Sequence, residues 1–134
     1  MLPKAYNKLI VHQLTSDFKK ATKLIQQPLD PSKISKSNLL IKPKYTGINA
    51  SDINFTSGKY YPGKNPPFPV GFEAVGEVVH SNGKYEVGQA VAYCFDGAFS
   101  EYHEVPSSRV FPVKEIFWCD FLKEKEKRIF ILFT

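Results

Sequence analysis

The sequence predicts a mainly β domain, a partial barrel built from short strands. Ten prolines and eight glycines interrupt the 134 residues at short intervals, which favours short strands over long helices. About six to eight apolar or alternating runs are separated by turn residues, the pattern of a barrel-like domain. Hydrophobic residues make up 43% of the chain and aromatic residues 14%, enough for one folded core.

The first predicted element is a hairpin. Residues 8–14 form a β-rich run, residues 21–25 form a weaker one, and Thr15-Ser16-Asp17 between them has turn chemistry. Residues 30–38 follow as a surface loop. Residues 38–48 then predict a longer strand that delivers Gly47 and Asn49 to the next turn.

The later strands follow from alternation and from glycine turns. Residues 73–80 predict a strand with both faces partly covered. A glycine turn over residues 81–84 leads into a strand over residues 87–93. Asp96-Gly97 predicts a hairpin into a period-two strand over residues 98–105, and residues 109–113 close the set.

Two segments are expected, residues 1–113 as the domain and residues 114–134 as an atypical tail. The tail joins a run of alternating charge, residues 123–128, to the apolar run 129–133. An apolar end with high β propensity is an aggregation hazard unless something covers it.

The charge and the cysteines exclude several classes of function. The net charge of +5 comes from lysines spread along the chain, without the aromatic-interleaved basic stripe of a nucleic-acid surface. Cys94 and Cys119 have no zinc-type spacing and suggest a reducing compartment. We find no signal-peptide pattern and no apolar run of the roughly 18 residues that a membrane span needs. These observations favour a cytoplasmic protein with no membrane or nucleic-acid partner, although an organelle remains open.

The stretch from Gly47 to Gly76 is the candidate functional region. Asn49 and Asp52 bracket one predicted helical turn, which either side chain can cap. Pro66-Pro67-Phe68-Pro69 then forces an extended crossing. These residues indicate either a capped turn and a stiff loop, or a site at the mouth of a barrel.

Six motifs follow one another in a fixed order between about residue 8 and residue 113. They are Gly47-Ile48-Asn49-x-Ser51-Asp52, Gly58-x-Tyr60, Pro66-Pro67-Phe68, Gly71-Phe72-Glu73-x-x-Gly76-x-Val78, Val87-Gly88-x-x-Val91 and Gly97-Ala98-Phe99-Ser100-Glu101-Tyr102. This order resembles the N-terminal half of the medium-chain dehydrogenase/reductase superfamily. The sequences Asn-Ala-Ser-Asp-Ile-Asn and Gly-Phe-Glu are most similar to the zinc-free quinone oxidoreductases, and within them to the prostaglandin reductase 3 branch, the 15-oxoprostaglandin 13-reductases.

The resemblance implies a GroES-like partial β-barrel and an NADPH-dependent reduction of an enone or a quinone. By match to the family motif, Asn49 would lie near the nicotinamide and ribose, and Asp52 would fix that turn. Ser51 matches a proton-relaying hydroxyl of the zinc relatives. Tyr60 matches a tyrosine at the active-site mouth, where a phenol either donates to the substrate oxygen or only packs.

The resemblance also bears on the substrate pocket and on zinc. Asn54 stands where many quinone oxidoreductases have a second tyrosine. Asn49 and Phe72 stand where zinc alcohol dehydrogenases have a cysteine and a histidine ligand, and neither an amide nor a phenyl ring suits zinc. We therefore expect no metal, and we expect Glu73 to be a structural carboxylate. His12, His80 and His103 have no shared ligand spacing, which favours exposed or hydrogen-bonded histidines.

The family continues into a doubly wound nucleotide-binding domain with a glycine-rich turn, which this sequence does not contain. The first hypothesis is an inactive fragment of a zinc-independent NADPH oxidoreductase, which would not bind NADPH tightly. The second is a short, non-catalytic isoform that forms homo- or hetero-oligomers through a barrel face left bare. The third, a co-chaperonin-like ring subunit, rests on the fold alone.

Overall fold

The computed structural model describes residues 1–113, and its strands form two antiparallel sheets. The smaller sheet has the order β2-β1-β4 and the larger sheet the order β7-β3-β5-β6-β8. The tail over residues 114–134, with Cys119, lies outside the described residues. The strands are β1 (Ala5–Val11), β2 (Thr22–Pro28), β3 (Asn38–Thr46), β4 (Phe68–Pro69), β5 (Glu73–His80), β6 (Ala90–Cys94), β7 (His103–Pro106) and β8 (Val110–Pro112). The prediction of a mainly β partial barrel is confirmed.

The N-terminal hairpin is confirmed, with a short helix in its connection that we did not expect. β1 pairs with β2 from Ala5↔Pro28 to Val11↔Thr22. Helix α1 (Phe18–Ala21) precedes β2, and the Asp17 side chain caps it by accepting from the Lys20 backbone N–H at 3.2 Å. The first strand therefore ends at Val11 rather than at residue 14.

The larger sheet contains four of the predicted strands and corrects one connection. β6 begins at Ala90 rather than at residue 87, and β8 lies within the predicted run 109–113. β5 spans the predicted residues 73–80, and both of its faces are partly buried. β3 covers most of the predicted run 38–48. The prediction of a hairpin at Asp96-Gly97 is wrong, because β6 pairs with β5 and β8 and does not pair with β7, which pairs with β3.

The residues after β6 bond to a distant part of the chain instead of forming that hairpin. The Gly97 N–H donates to the Gly71 carbonyl at 2.9 Å, and the Phe99 N–H donates to the Val70 carbonyl at 3.1 Å. Gly97 has a φ of +109°, which favours glycine. The strand predicted over residues 98–105 is consequently only four residues long and begins at His103.

Helix α2 (Ala50–Thr56) follows β3 and packs on a cluster of aromatic side chains. Its buried Phe55 packs edge to face on the rings of Phe68 and Phe72, with ring centroids 5.1 Å and 4.9 Å apart. Such pairs contribute about 0.5–1.5 kcal/mol beyond the area that they bury. This cluster fixes the helix that carries the candidate site. A second core, which includes Tyr93, lies within the larger sheet.

His103 is buried and fully hydrogen-bonded, as expected for a histidine that is not a ligand. Its Nε2 lies 3.1 Å from the Asp96 carbonyl oxygen and its Nδ1 lies 2.9 Å from the Tyr93 hydroxyl. None of the helices in residues 1–113 has the length and apolar character needed to cross a bilayer.

Candidate functional site

Gly47 makes room for the carboxylate of Glu73 at the start of the site. The Gly47 N–H donates to the Glu73 carbonyl at 3.1 Å, where β3 and β5 part. A Cβ at position 47 would overlap the Glu73 carboxylate. The Glu73 side chain therefore depends on glycine at this position, and it turns toward Asn49.

Asn49 is held by two carboxylates. Its backbone N–H donates to Asp52 Oδ2 at 2.8 Å, an arrangement that closes the first turn of α2. Its side-chain Nδ2 donates to Glu73 Oε1 at 3.1 Å. An ionised carboxylate only accepts hydrogen bonds, so the amide nitrogen faces Glu73. The predicted capping turn is confirmed in its Asp52 half. Glu73 is half-buried, and its bond to Asn49 agrees with the structural role that we predict for it.

Asp52 is a buried carboxyl group with one unused oxygen. Its side chain is 2% exposed, and Oδ1 has no hydrogen-bond partner within residues 1–113. Burial raises the pKa of Asp52 and the charge of Glu73 raises it further, whereas the hydrogen bond from Asn49 lowers it. A buried acceptor without a partner is costly, and a donor from water or from a ligand would relieve it.

Asn49 and Asp52 lie on the wall of an open cleft of about 750 Å³. The cleft is largely apolar, and three aliphatic side chains on its walls are strongly exposed: Leu24 (65%), Ile48 (74%) and Ile53 (45%). Lys8 and Lys44 add positive charge at its margin. The cleft can hold a molecule that combines an apolar face with a few hydrogen-bonding groups.

The other predicted site residues lie around α2 and do not line this cleft. Ser51 and Asn54 are half-buried and, three residues apart, share one side of the helix. Tyr60 is 48% exposed in the loop after α2. Phe72 packs on Phe55. The structure thus brings Asn49 and Asp52 together at the cleft, and the roles assigned to all six residues remain predictions.

Within the described range 1–113, no three His, Cys, Asp or Glu side chains come together as metal ligands. At the two positions matched to zinc ligands, the Asn49 amide bonds to Glu73 and the Phe72 ring packs on Phe55. Sequence reasoning missed Lys64 in the loop after α2, whose ammonium lies near three aromatic rings from different elements. No spacing in the sequence signals that contact.

Sequence comparison gives relatives among oxidoreductases. Residues 35–115 match the family model of the alcohol dehydrogenase GroES-like domain. The chain is 40% identical over 119 residues to prostaglandin reductase-3 of Mus musculus. The aligned region covers 86% of this chain and 31% of the mouse protein. The chain is 37% identical over 117 residues to a probable quinone oxidoreductase of Leishmania amazonensis, and this aligned region covers 85% of this chain and 34% of that protein.

Comparison of the folds agrees with these matches. The quinone oxidoreductase of Escherichia coli, solved in complex with NADPH, superposes with a TM-score of 0.68 at 22% identity, over 82% of this chain and 34% of that one. At this identity the likeness shows the fold alone. The chain spans about a third of the length of the curated relatives that it matches. The resemblance inferred from the motifs is confirmed, and the chain belongs to the alcohol dehydrogenase GroES-like domain family.

Proposed function

We propose that residues 1–113 form the substrate-side domain of a zinc-independent, NADPH-dependent oxidoreductase that reduces enones, such as 15-keto-prostaglandins, or quinones. The observation that carries this proposal is the position of Asn49 and Asp52 on the wall of an apolar cleft, with Asn49 held by its bond to Glu73. The relatives named as a prostaglandin reductase and a quinone oxidoreductase support the substrate class.

The polar atoms at the cleft fit one end of a dinucleotide. Asp52 lines the cleft, and its unpartnered, buried Oδ1 would accept from a ribose hydroxyl or the nicotinamide carboxamide if the carboxyl group turned toward the cleft. Asn49 beside it would hold the same end of the cofactor. When bound, NADPH supplies the hydride. The sequence has no glycine-rich turn for the pyrophosphate, so we expect this chain by itself to bind NADPH weakly and to show no turnover.

The remaining chemistry needs a donor near the substrate oxygen. Hydride addition to the β-carbon of an enone moves an electron pair onto the carbonyl oxygen, and a proton must then reach the α-carbon. A hydrogen-bond donor that stabilises the developing oxyanion accelerates this step. Tyr60 would supply that donor through its phenol, and Ser51 would relay the proton. Asn54 and Phe72 would border the substrate.

A chimaeric enzyme tests the proposal. Residues 1–113 replace the matching third of mouse prostaglandin reductase-3, and NADPH oxidation is followed with a 15-keto-prostaglandin and with a quinone. We expect turnover without added zinc, and we expect Tyr60→Phe to lower kcat by about 10²-fold, a typical contribution of a positioned proton donor. Tyr61→Phe is the matched control, because Tyr61 is 47% exposed against 48% for Tyr60.

Two results would contradict the proposal. One is a folded chimaera that binds NADPH but reduces neither substrate. The other is activity that appears only when zinc is supplied. Equal activity of the Tyr60→Phe and Tyr61→Phe variants would remove Tyr60 from the mechanism and leave the substrate class standing.

A further inference from the structure

The loop between α2 and β4, residues 57–67, carries a lysine that points at aromatic rings. Lys64 Nζ lies 4.9 Å from the ring centroid of Phe68, 5.0 Å from that of Tyr61 and 5.6 Å from that of Phe55. A cation within about 6 Å of a ring centroid is attracted by the electrons of the ring face. No ion pair found in residues 1–113 involves Lys64.

The three rings, here called the aromatic cage (Phe55, Tyr61 and Phe68), belong to three separate elements. Phe55 lies in α2, Tyr61 in the loop and Phe68 in β4. Phe55 also contacts the other two directly, with ring centroids 5.6 Å from Tyr61 and 5.1 Å from Phe68. A single ammonium on this cage therefore connects the loop to the helix and to the strand.

Lys64 is tied to the loop at its backbone as well. Its N–H donates to the Tyr61 carbonyl at 3.0 Å, which closes a turn around Gly63. At the start of the loop, the Gly58 and Lys59 N–H groups donate to the Phe55 and Asn54 carbonyls at 3.0 and 3.1 Å. The segment between these two anchors contains Tyr60, so its position depends on both.

We propose that Lys64 is a positioning residue that holds the Tyr60 loop against α2 through the aromatic cage. Without its charge, the loop would keep the anchor at Gly58 and Lys59 and the ring contact of Tyr61 with Phe55, and would lose the cation–π contact between Lys64 and the aromatic cage. The effect on loop order is independent of the reaction. The consequence for catalysis rests on the proposed function, in which Tyr60 stabilises charge on the substrate oxygen.

Amide hydrogen exchange in the full 134-residue chain measures the loop order. We compare Lys64→Met, which keeps the length and apolar character of the side chain, with Lys64→Arg, which keeps the charge. Lys59→Met is the matched control, because Lys59 is an exposed lysine of the same loop. We expect the backbone amide of residue 64 to exchange about tenfold faster in Lys64→Met than in the wild type, because the cation–π contact is lost. Lys64→Arg and Lys59→Met should stay near the wild-type rate.

The proposal fails if Lys64→Met exchanges like the wild type, or if Lys64→Arg loosens the loop as much as Lys64→Met. A second measurement covers a variant that does not fold. In the wild-type chain, the ring currents of the aromatic cage should shift the Lys64 side-chain methylene protons upfield of those of Lys59. Coincident shifts for the two lysines would overturn the proposal.

The chimaeric enzyme separates this proposal from the proposed function. We expect Lys64→Met to lower kcat about tenfold with the affinity for NADPH unchanged, and Lys64→Arg to restore it. If Tyr60→Phe impairs turnover and Lys64→Met does not, Lys64 has no positioning role and the proposed function stands. If Lys64→Met loosens the loop but Tyr60→Phe has no effect, the role of Tyr60 is wrong and the structural role of Lys64 stands.

Discussion

Acid should destabilise this domain through one buried histidine. His103 is 9% exposed, and burial lowers its pKa to about 4, with a smaller lowering from the charge of Lys8. The partner of Nε2 is the backbone carbonyl oxygen of Asp96, which can only accept a hydrogen bond. The neutral ring therefore donates from Nε2 and accepts a hydrogen bond from the Tyr93 hydroxyl at Nδ1. The folded chain therefore holds His103 without a proton, whereas the unfolded chain takes one up near pH 6.5.

The sign and size of the effect follow from that difference. Between pH 6.5 and pH 4 the unfolded state binds more protons at this group, so the free energy of unfolding falls as the pH falls. A native pKa of about 4 against 6.5 unfolded predicts a loss of about 2 kcal/mol between pH 7.5 and pH 5. Asp52 acts in the opposite direction, because its raised pKa means that the folded chain binds that proton more tightly.

Urea unfolding of the full chain at the two pH values measures this loss. His103→Gln keeps a donor and an acceptor at the site but cannot take up a proton, so its free energy of unfolding should change about 2 kcal/mol less between the two pH values than that of the wild type. His12→Gln, at an exposed histidine, is the matched control and should follow the wild type. Equal pH dependence of His103→Gln and the wild type would refute the reasoning.

Two further predictions concern stability. Gly47→Ala should destabilise the chain by about 1–3 kcal/mol, because the new Cβ displaces Glu73 and breaks its bond to Asn49; in a double-mutant cycle read by urea unfolding, Glu73→Ala should remove most of that cost, and additive effects would contradict the assigned contact. Tyr85→Phe should cost about 1–2 kcal/mol by thermal unfolding, since its hydroxyl donates to the buried Val110 carbonyl at 2.7 Å, and an unchanged Tm would contradict that bond.

The sequence predicts the strands well where local pattern and burial agree. β5 alternates and is bounded by turn residues, so residues 73–80 were assigned correctly. The Asp96-Gly97 pair carries the same kind of local signal, yet the prediction failed there. Gly97 bonds to Gly71, 26 positions earlier in the chain, and this long-range contact outweighs the local turn preference.

The candidate site likewise contains one contact that the sequence predicts and two that it does not. The spacing of Asn49 and Asp52 predicts the bond that closes the turn, because that bond spans three residues. The bond from Asn49 to Glu73 joins residues 24 apart, and only the pairing of β3 with β5 brings them together. The contact of Lys64 with the aromatic cage depends on the packing of three elements, which no pattern in the sequence specifies.

Helix α2 is too short to place the candidate site by itself. A seven-residue helix is marginal in isolation, so its position must come from what it packs against. Phe55 anchors it in the aromatic cluster, and Thr56 exchanges hydrogen bonds with Thr15, donating from Oγ1 and accepting at its carbonyl, both at 3.1 Å. Asn49 and Asp52 at its start, and the loop of Tyr60 after its end, therefore share one support. Damage to that support at Phe55 should disturb the cleft and the Tyr60 loop together, whereas the loss of the Lys64 charge should disturb the loop alone.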